Sequence, residues 1–249
     1  MTTGTLYSYF MRQIAELTKN PSGALLVAEG LCKGYGYRTV LRNVSLTLRP
    51  GALALVCGAN GVGKSTLLRI LAGLAAPDAG SVNLAAAPGE IAFMTHESCA
   101  YPGLTALQNL AFWARLHGLD LSDDDLHGLL AESGLAEFAH EPAAGFSRGM
   151  LQRLNLARCF APRPRLVFLD EPSTGLDQAG VALLNAHIAR TRRAGGAVAL
   201  VSHQVCEFTP LADVVLALGW PECGKTDASV VYCGPAAGFA APEREGGHV

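Results

Sequence analysis

Gly58-Ala59-Asn60-Gly61-Val62-Gly63-Lys64-Ser65 separates an almost wholly apolar run, Ala52–Cys57, from a segment with Leu67, Leu68, Leu71 and Leu74 at helical spacing. An apolar run this short and uninterrupted suits a strand buried on both faces of a parallel sheet. Its glycines let successive backbone N–H groups turn inward, and a helix beginning at Lys64 adds its dipole. A loop of this kind cradles phosphate oxygens. On this template Gly58, Ala59, Asn60, Gly61, Val62 and Gly63 line the phosphates. Lys64 reaches the β- and γ-phosphates, Ser65 sets its hydroxyl on Mg2+, and Thr66 adds a phosphate contact. An ordinary Gly-rich turn would account for the glycines but not for Lys-Ser at the head of a helix.

Half of the 249 residues are apolar and 16% are charged, against about 25% in an ordinary domain. That richness invites a membrane reading, but no run approaches the roughly 18–20 apolar residues a span requires. The best candidates, Leu53–Cys57, Leu166–Leu169 and Ala197–Val201, have strand length. A net charge of −2, from 19 basic and 21 acidic residues, excludes a broadly basic surface, and no nucleic-acid partner is expected. The start of the chain does not read as a secretory leader. Seven cysteines are an odd number, and Cys57 and Cys159 lie in apolar segments, so free thiols are expected rather than a disulfide framework. His96-x-x-Cys99 and His203-x-x-Cys206 have half the spacing of a metal site, but neither has a second pair nearby.

Residues 1–22 stand apart. Leu6, Phe10, Ile14 and Leu17 fit one face of a short helix, either an extension that meets a partner or the product of a start upstream of Met11. Strands are expected at Ala24–Ala28 and Val44–Leu48 around a turn-rich stretch, Lys33–Tyr37. The middle third is helical: Thr105 with Gln108 forms a capping box, Ser122 heads three aspartates, and another helix follows Ser147. Leu166–Leu169, a helix over 178–194 stopped by Gly195-Gly196, and Ala197–Val201 complete the pattern. It specifies an α/β sheet interrupted by a helical insert. The expected division is an N-terminal extension over 1–22, one domain over 24–234 with a helical subdomain at about 97–162, and a loose tail over 235–249.

Leu166-Val167-Phe168-Leu169-Asp170-Glu171 supplies what a phosphate loop needs next. Asp170 is the candidate Mg2+ partner through water, and Glu171 the candidate general base for the attacking water.

With these residues in view the chain resembles the ATP-binding subunit of ABC transporters over about residues 24–234. Phe146-Ser147-Arg148-Gly149-Met150 stands where that family has its Leu-Ser-Gly-Gly-Gln signature, with Arg148 and Met150 as departures and Gln152-Arg153 following as expected. Ser173-Thr174-Gly175-Leu176-Asp177 resembles the D-loop, His203 the switch histidine, and Tyr35 the aromatic that stacks on adenine. His96 stands where the Q-loop usually has Gln, and either it, Glu97 or neither senses nucleotide. The resemblance implies a P-loop NTPase (RecA-like) core sheet, a small antiparallel β subdomain and an inserted α-helical subdomain. It further implies ATP and Mg2+ as cofactors. It also implies a head-to-tail dimer in which Ser147, Arg148, Gly149 and Met150 meet the ATP of the opposite ATPase subunit.

Separate transmembrane permease subunits would be partners, and the ATPase would sit peripherally on the cytoplasmic face of the inner membrane. Thr95-His96-Glu97, Tyr101–Ala106, Asn109–Trp113, Gly180–Leu184 and Ser202-His203-Gln204 are similar to the haem-exporter ATPases of bacterial cytochrome c maturation. The alternatives are the ATPase of a drug or polysaccharide exporter, or a soluble ABC protein of translation or DNA repair. A P-loop kinase or GTPase leaves the signature, D-loop and switch histidine unexplained.

Overall fold

The structure is a computed structural model that describes residues 23–95, 97–219 and 229–239. Strands β1 (Leu26–Tyr35) and β2 (Arg38–Leu48) form a hairpin. Then come β3 (Leu53–Gly58), helix α1 (Lys64–Leu71), β4 (Ala79–Leu84) and β5 (Ile91–Met94). Three helices follow, α2 (Ala106–Leu116), α3 (Asp123–Glu132) and α4 (Arg148–Phe160). The chain continues through β6 (Leu166–Asp170), α5 (Gln178–Arg193), β7 (Ala197–Val201) and the single turn α6 (Val205–Phe208). It ends in β8 (Val214–Gly219) and β9 (Ser229–Pro235).

The main sheet runs β5-β6-β7-β3-β8-β9, parallel except for the last pair; a second, antiparallel sheet runs β2-β1-β4. Strands β6 and β7 are buried along their whole length. The period of two then divides their side chains between two cores. Ala54, Val56, Leu166, Phe168, Ala197, Ala199 and Val201 join α1 and the antiparallel sheet in one core. Leu53, Leu55, Cys57, Val167, Leu169, Val198 and Leu200 face α4 and α5 in the other. A third cluster, built on Leu110, Leu126, Leu130, Leu135 and Leu154, lies within the helical insert.

Local chemistry sets the helix ends. The Thr105 hydroxyl accepts from Gln108 N while the Gln108 side chain accepts from Thr105 N, and Ser122 and Asp125 repeat the exchange. Ser147 caps α4 by accepting from Met150 N. Buried Asn109 satisfies its amide on the loop ahead of α2: its oxygen accepts from Tyr101 N, and its NH2 faces the carbonyls of Tyr101, Leu104 and Thr105. Helix α1 is shorter than its leucine spacing predicts. It stops at Leu71, Gly73 turns with φ +74°, and Leu74 points into solvent, 60% exposed.

The turn-rich stretch at 33–37 is mostly strand. Tyr35 pairs with Arg38 across a two-residue loop whose first residue, Gly36, has φ +59°, where hairpin turns call for glycine. Strands β4, β5, β8 and β9 have no counterpart in the sequence reading; β5 and β8 widen the parallel core, and β9 adds an antiparallel edge. Beyond β9, Phe239 packs on Tyr232 with ring centroids 5.3 Å apart. The residues before 23 and after 239, His96 and Cys223 lie outside the described residues. The other six cysteines are free thiols. Among the described residues no helix is long and apolar enough to cross a membrane.

Candidate functional site

The C-terminal ends of β3, β6 and β7 converge, and each delivers part of one site, as open α/β sheets do. From β3 the loop enters α1 with Gly58, Gly61 and Gly63 all at positive φ. A Cβ on Gly58 would lie 2.2 Å from the Leu218 carbonyl oxygen, and one on Gly63 would lie 2.7 Å from Val40 Cγ1. Both glycines are therefore required by close packing as well as by backbone conformation. The Lys64 ammonium donates to the carbonyls of Gly58 and Ala59, both at 2.9 Å, which curls the loop around it. Burial lowers the Lys64 pKa, opposed by the carboxylates of Glu171 and Asp170.

Strand β6 ends on Asp170, 2% exposed, and hands over to Glu171 at φ +52°, a left-handed conformation rare outside glycine. Its amide donates to Val201 O on β7, and Gln152 of α4 donates to the carbonyl of Pro172, so the kink is held on both sides. Strand β7 brings His203, whose amide donates to Glu171 Oε2 at 3.2 Å. The His203 ring comes within 3.3 Å of Glu171 Oε1, but that approach lacks hydrogen-bond alignment and Oε1 remains buried without a hydrogen-bond partner. Burial is the main cause holding the Glu171 pKa above its ordinary value. A half-buried carboxylate with one buried, unsatisfied oxygen and a raised pKa is equipped to take a proton from a bound water.

Helix α4 sets Ser147, Arg148, Gly149 and Met150 at its start, beside the 173–177 loop. A Cβ on Gly149 would lie 3.0 Å from Gly175 O, and the Arg148 stem runs over Gly175. Asp177 caps α5 by accepting from Gly180 N, and the same oxygen takes the Arg153 guanidinium at 2.6 Å. Those two contacts hold its carboxyl below the usual carboxylate range, the Gly180 amide leading. Ser173 donates to Gln204 Oε1 at 2.7 Å, tying that loop to the segment after β7.

The hairpin closes the site from the other side. Strand β2 carries an extra residue, Val40, between the pairs Gly34↔Thr39 and Lys33↔Leu41, and this bulge presses on Gly63. Arg38 donates to Gly61 O at 3.5 Å, so the end bearing Tyr35 is held beside the phosphate loop.

The structure thus brings together the phosphate loop, Asp170, Glu171 and His203, and sets Ser147 to Met150 against the loop that ends in Asp177. His96 lies outside the described residues; its neighbour Thr95 accepts a 3.4 Å hydrogen bond from Asn155 of α4. Of the His203-x-x-Cys206 pair, His203 turns its ring toward Glu171. Sequence reasoning missed Arg38 and Val40. The Gly36-Tyr37 loop was the signal for Arg38, since it sets the hairpin register, while a bulge at Val40 leaves no trace in residue type.

Residues 41–174 match the ABC transporter family. The chain is 41% identical over 194 residues to a Bordetella bronchiseptica protein described as cytochrome c biogenesis ATP-binding export protein CcmA, covering 73% of this chain and 84% of that one. A Yersinia pestis protein described as aliphatic sulfonates import ATP-binding protein SsuB is 39% identical over 206 residues, covering 80% and 74%. A solved structure titled as the ATP-binding subunit of an ABC transporter superposes with a TM-score of 0.76 at 25% identity, covering 85% of this chain and 90% of that one.

Proposed function

The chain belongs to the ABC transporter family as an ATP-binding subunit and an ATPase, and from that premise we propose that it powers haem export or handling in cytochrome c biogenesis. The buried, unpartnered Oε1 of Glu171 beside the His203 ring carries the catalytic part of this reading. Glu171 is the general base that takes a proton from the attacking water. His203 contacts the γ-phosphate side of that water and holds Glu171 through its amide. The amides of Gly58 to Gly63 and the ammonium of Lys64 bind the triphosphate, Thr66 adds a contact, and Tyr35 stacks on adenine.

Mg2+ fits the site: the Ser65 hydroxyl at the head of α1 and the buried Asp170 carboxylate offer the hard oxygen donors it takes, Asp170 through water. When bound, that ion supplies charge neutralisation between the β- and γ-phosphates. The head of α4, with the Ser147 hydroxyl and the Gly149 amide, meets the ATP of a second subunit across a head-to-tail dimer. Asp177 lies on the loop nearest that interface, and His96, Glu97 or neither senses the nucleotide at the Q-loop position. Those partners are permease subunits, which places the ATPase on the cytoplasmic face of the cell membrane.

The haem role rests on similarity to proteins described as cytochrome c biogenesis exporters and on the Thr95-His96-Glu97 and Ser202-His203-Gln204 stretches. Removing the gene tests it, with covalently haem-bearing cytochrome c expected to disappear and to return on complementation. Unchanged cytochrome c would end the haem assignment while leaving the ATPase intact. The sulfonate-import relative, at comparable identity, favours a second reading as the ATPase of a different transporter, and the same experiment separates the two.

A further inference from the structure

The end of the β1–β2 hairpin is held by a residue that belongs to neither strand. Asp78, one position ahead of β4, uses both carboxylate oxygens: Oδ1 takes the Lys33 ammonium at 2.7 Å and Oδ2 takes the Gly34 amide at 2.7 Å. Its own amide donates to Cys32 O at 2.8 Å, so the residue is braced by the same three-residue stretch it braces. The Lys33 hydrogen bond leads in holding the Asp78 carboxyl below its ordinary pKa, with the Gly34 amide next. Lys33 in turn lies over the Tyr35 ring, 5.5 Å from its centroid, within the range of a cation–π contact. Tyr35 remains 56% exposed. A ring with an ammonium over one face and wide exposure elsewhere has one face left to receive a planar group.

We propose that Asp78 and Lys33 are positioning residues for the nucleotide base, setting the orientation of Tyr35 so that its open face receives adenine. This rests on the reading of Tyr35 as the base platform. The hairpin is otherwise anchored to the phosphate loop, through Arg38 to Gly61 and Val40 to Gly63, so the Asp78–Lys33 pair governs the base end of the nucleotide rather than the phosphate end. Removing the pair frees the ring to rotate and leaves the triphosphate cradle in place.

Calorimetric titration of the full chain with ATP and with inorganic tripolyphosphate, which has no base, tests this. Asp78→Ala is expected to raise the Kd for ATP about fivefold and that for tripolyphosphate less than twofold. Lys33→Met removes the ammonium, keeps an unbranched stem at this half-buried position and is expected to do the same, while Lys33→Arg restores binding. Tyr35→Ala should weaken ATP more than either, and Asp78→Ala added to it should change nothing further. Equal losses for ATP and tripolyphosphate, or additive losses in the double variant, would overturn the positioning role. If Tyr35→Ala weakens ATP selectively while Asp78→Ala and Lys33→Met do not, the proposal fails and the platform stands. If Tyr35→Ala itself leaves ATP binding unchanged, both fall.

Discussion

Glu171 and His203 meet twice, once through the His203 amide on Oε2 and once through the ring 3.3 Å from Oε1, and only the first is a hydrogen bond. The pair is thus fixed by backbone while the oxygen that faces the ring stays open for a proton.

Glu171→Gln keeps the shape and the His203 amide contact but cannot accept that proton. ATP affinity should hold within about twofold, and hydrolysis should fall by about 10²-fold or more, as for loss of a general base. Steady-state phosphate release and ATP titration of the same preparation check the two halves.

Because burial raises the Glu171 pKa, this carboxyl, as the proposed general base, stays protonated and silent to a higher pH than a solvated glutamate would. The acid limb of kcat should therefore lie above the ordinary value of about 4.3. Relieving the burial would move the limb down. A pH–rate profile with its limb at or below the ordinary value would contradict this.

His187, 4% exposed, stacks on Phe160 with centroids 4.6 Å apart and accepts at Nδ1 from Arg190 Nη2 at 2.7 Å, while Arg190 reaches Glu132 of α3. Burial, with Arg190 second, pushes its pKa down to about 4. The folded pKa is depressed, so the stabilisation is whole above the unfolded value of about 6.5. It is lost progressively as pH falls toward 4, by about 2–3 kcal/mol for a shift of this size. Urea midpoints between pH 7.5 and 4.5 should fall less steeply in His187→Gln.

Gly63→Ala places a Cβ 2.7 Å from Val40 Cγ1 and 3.0 Å from Val40 O, at φ +109°. The hairpin or the loop has to yield, at about 1–3 kcal/mol. Loss of ATP affinity should accompany a lower Tm, whereas alanine at Gly61, with nothing within 4 Å of the added Cβ but φ +72°, should cost less.

Asn155 links Thr95 O to Arg158, whose Nε and Nη2 both donate to its oxygen, and Arg158 lies over Trp113 at 4.6 Å. Asn155→Ala leaves these groups short of a partner and should cost about 1–3 kcal/mol by chemical denaturation.

What was legible followed from rules that act within a few residues. Apolar runs bounded by turns located β3, β6 and β7, and Thr105, Ser122, Ser147 and the Gly195-Gly196 stop marked helix ends because capping chemistry is local. The phosphate loop was legible for the same reason: lysine, serine and glycines have to be consecutive to fold around phosphate. What escaped depends on distant partners. Ile91–Met94 is a strand because β6 offers it an edge, and Val40 bulges because Gly63 has room for it. The Arg153–Asp177 contact joins residues 24 apart. Leu74 shows the opposite error, where a period of leucines continued past the glycine that ended the helix.

The extra residue at Val40 also acts as a gauge. Deleting it would leave Gly34↔Thr39 and Lys33↔Leu41 as successive pairs of a regular ladder and take away the bulge that meets Gly63. How closely the hairpin meets the phosphate loop is therefore set by the count of residues in β2 between Arg38 and Leu41. Insertions at the Gly36-Tyr37 tip leave that measure untouched, whereas a single-residue change at the bulge resets it.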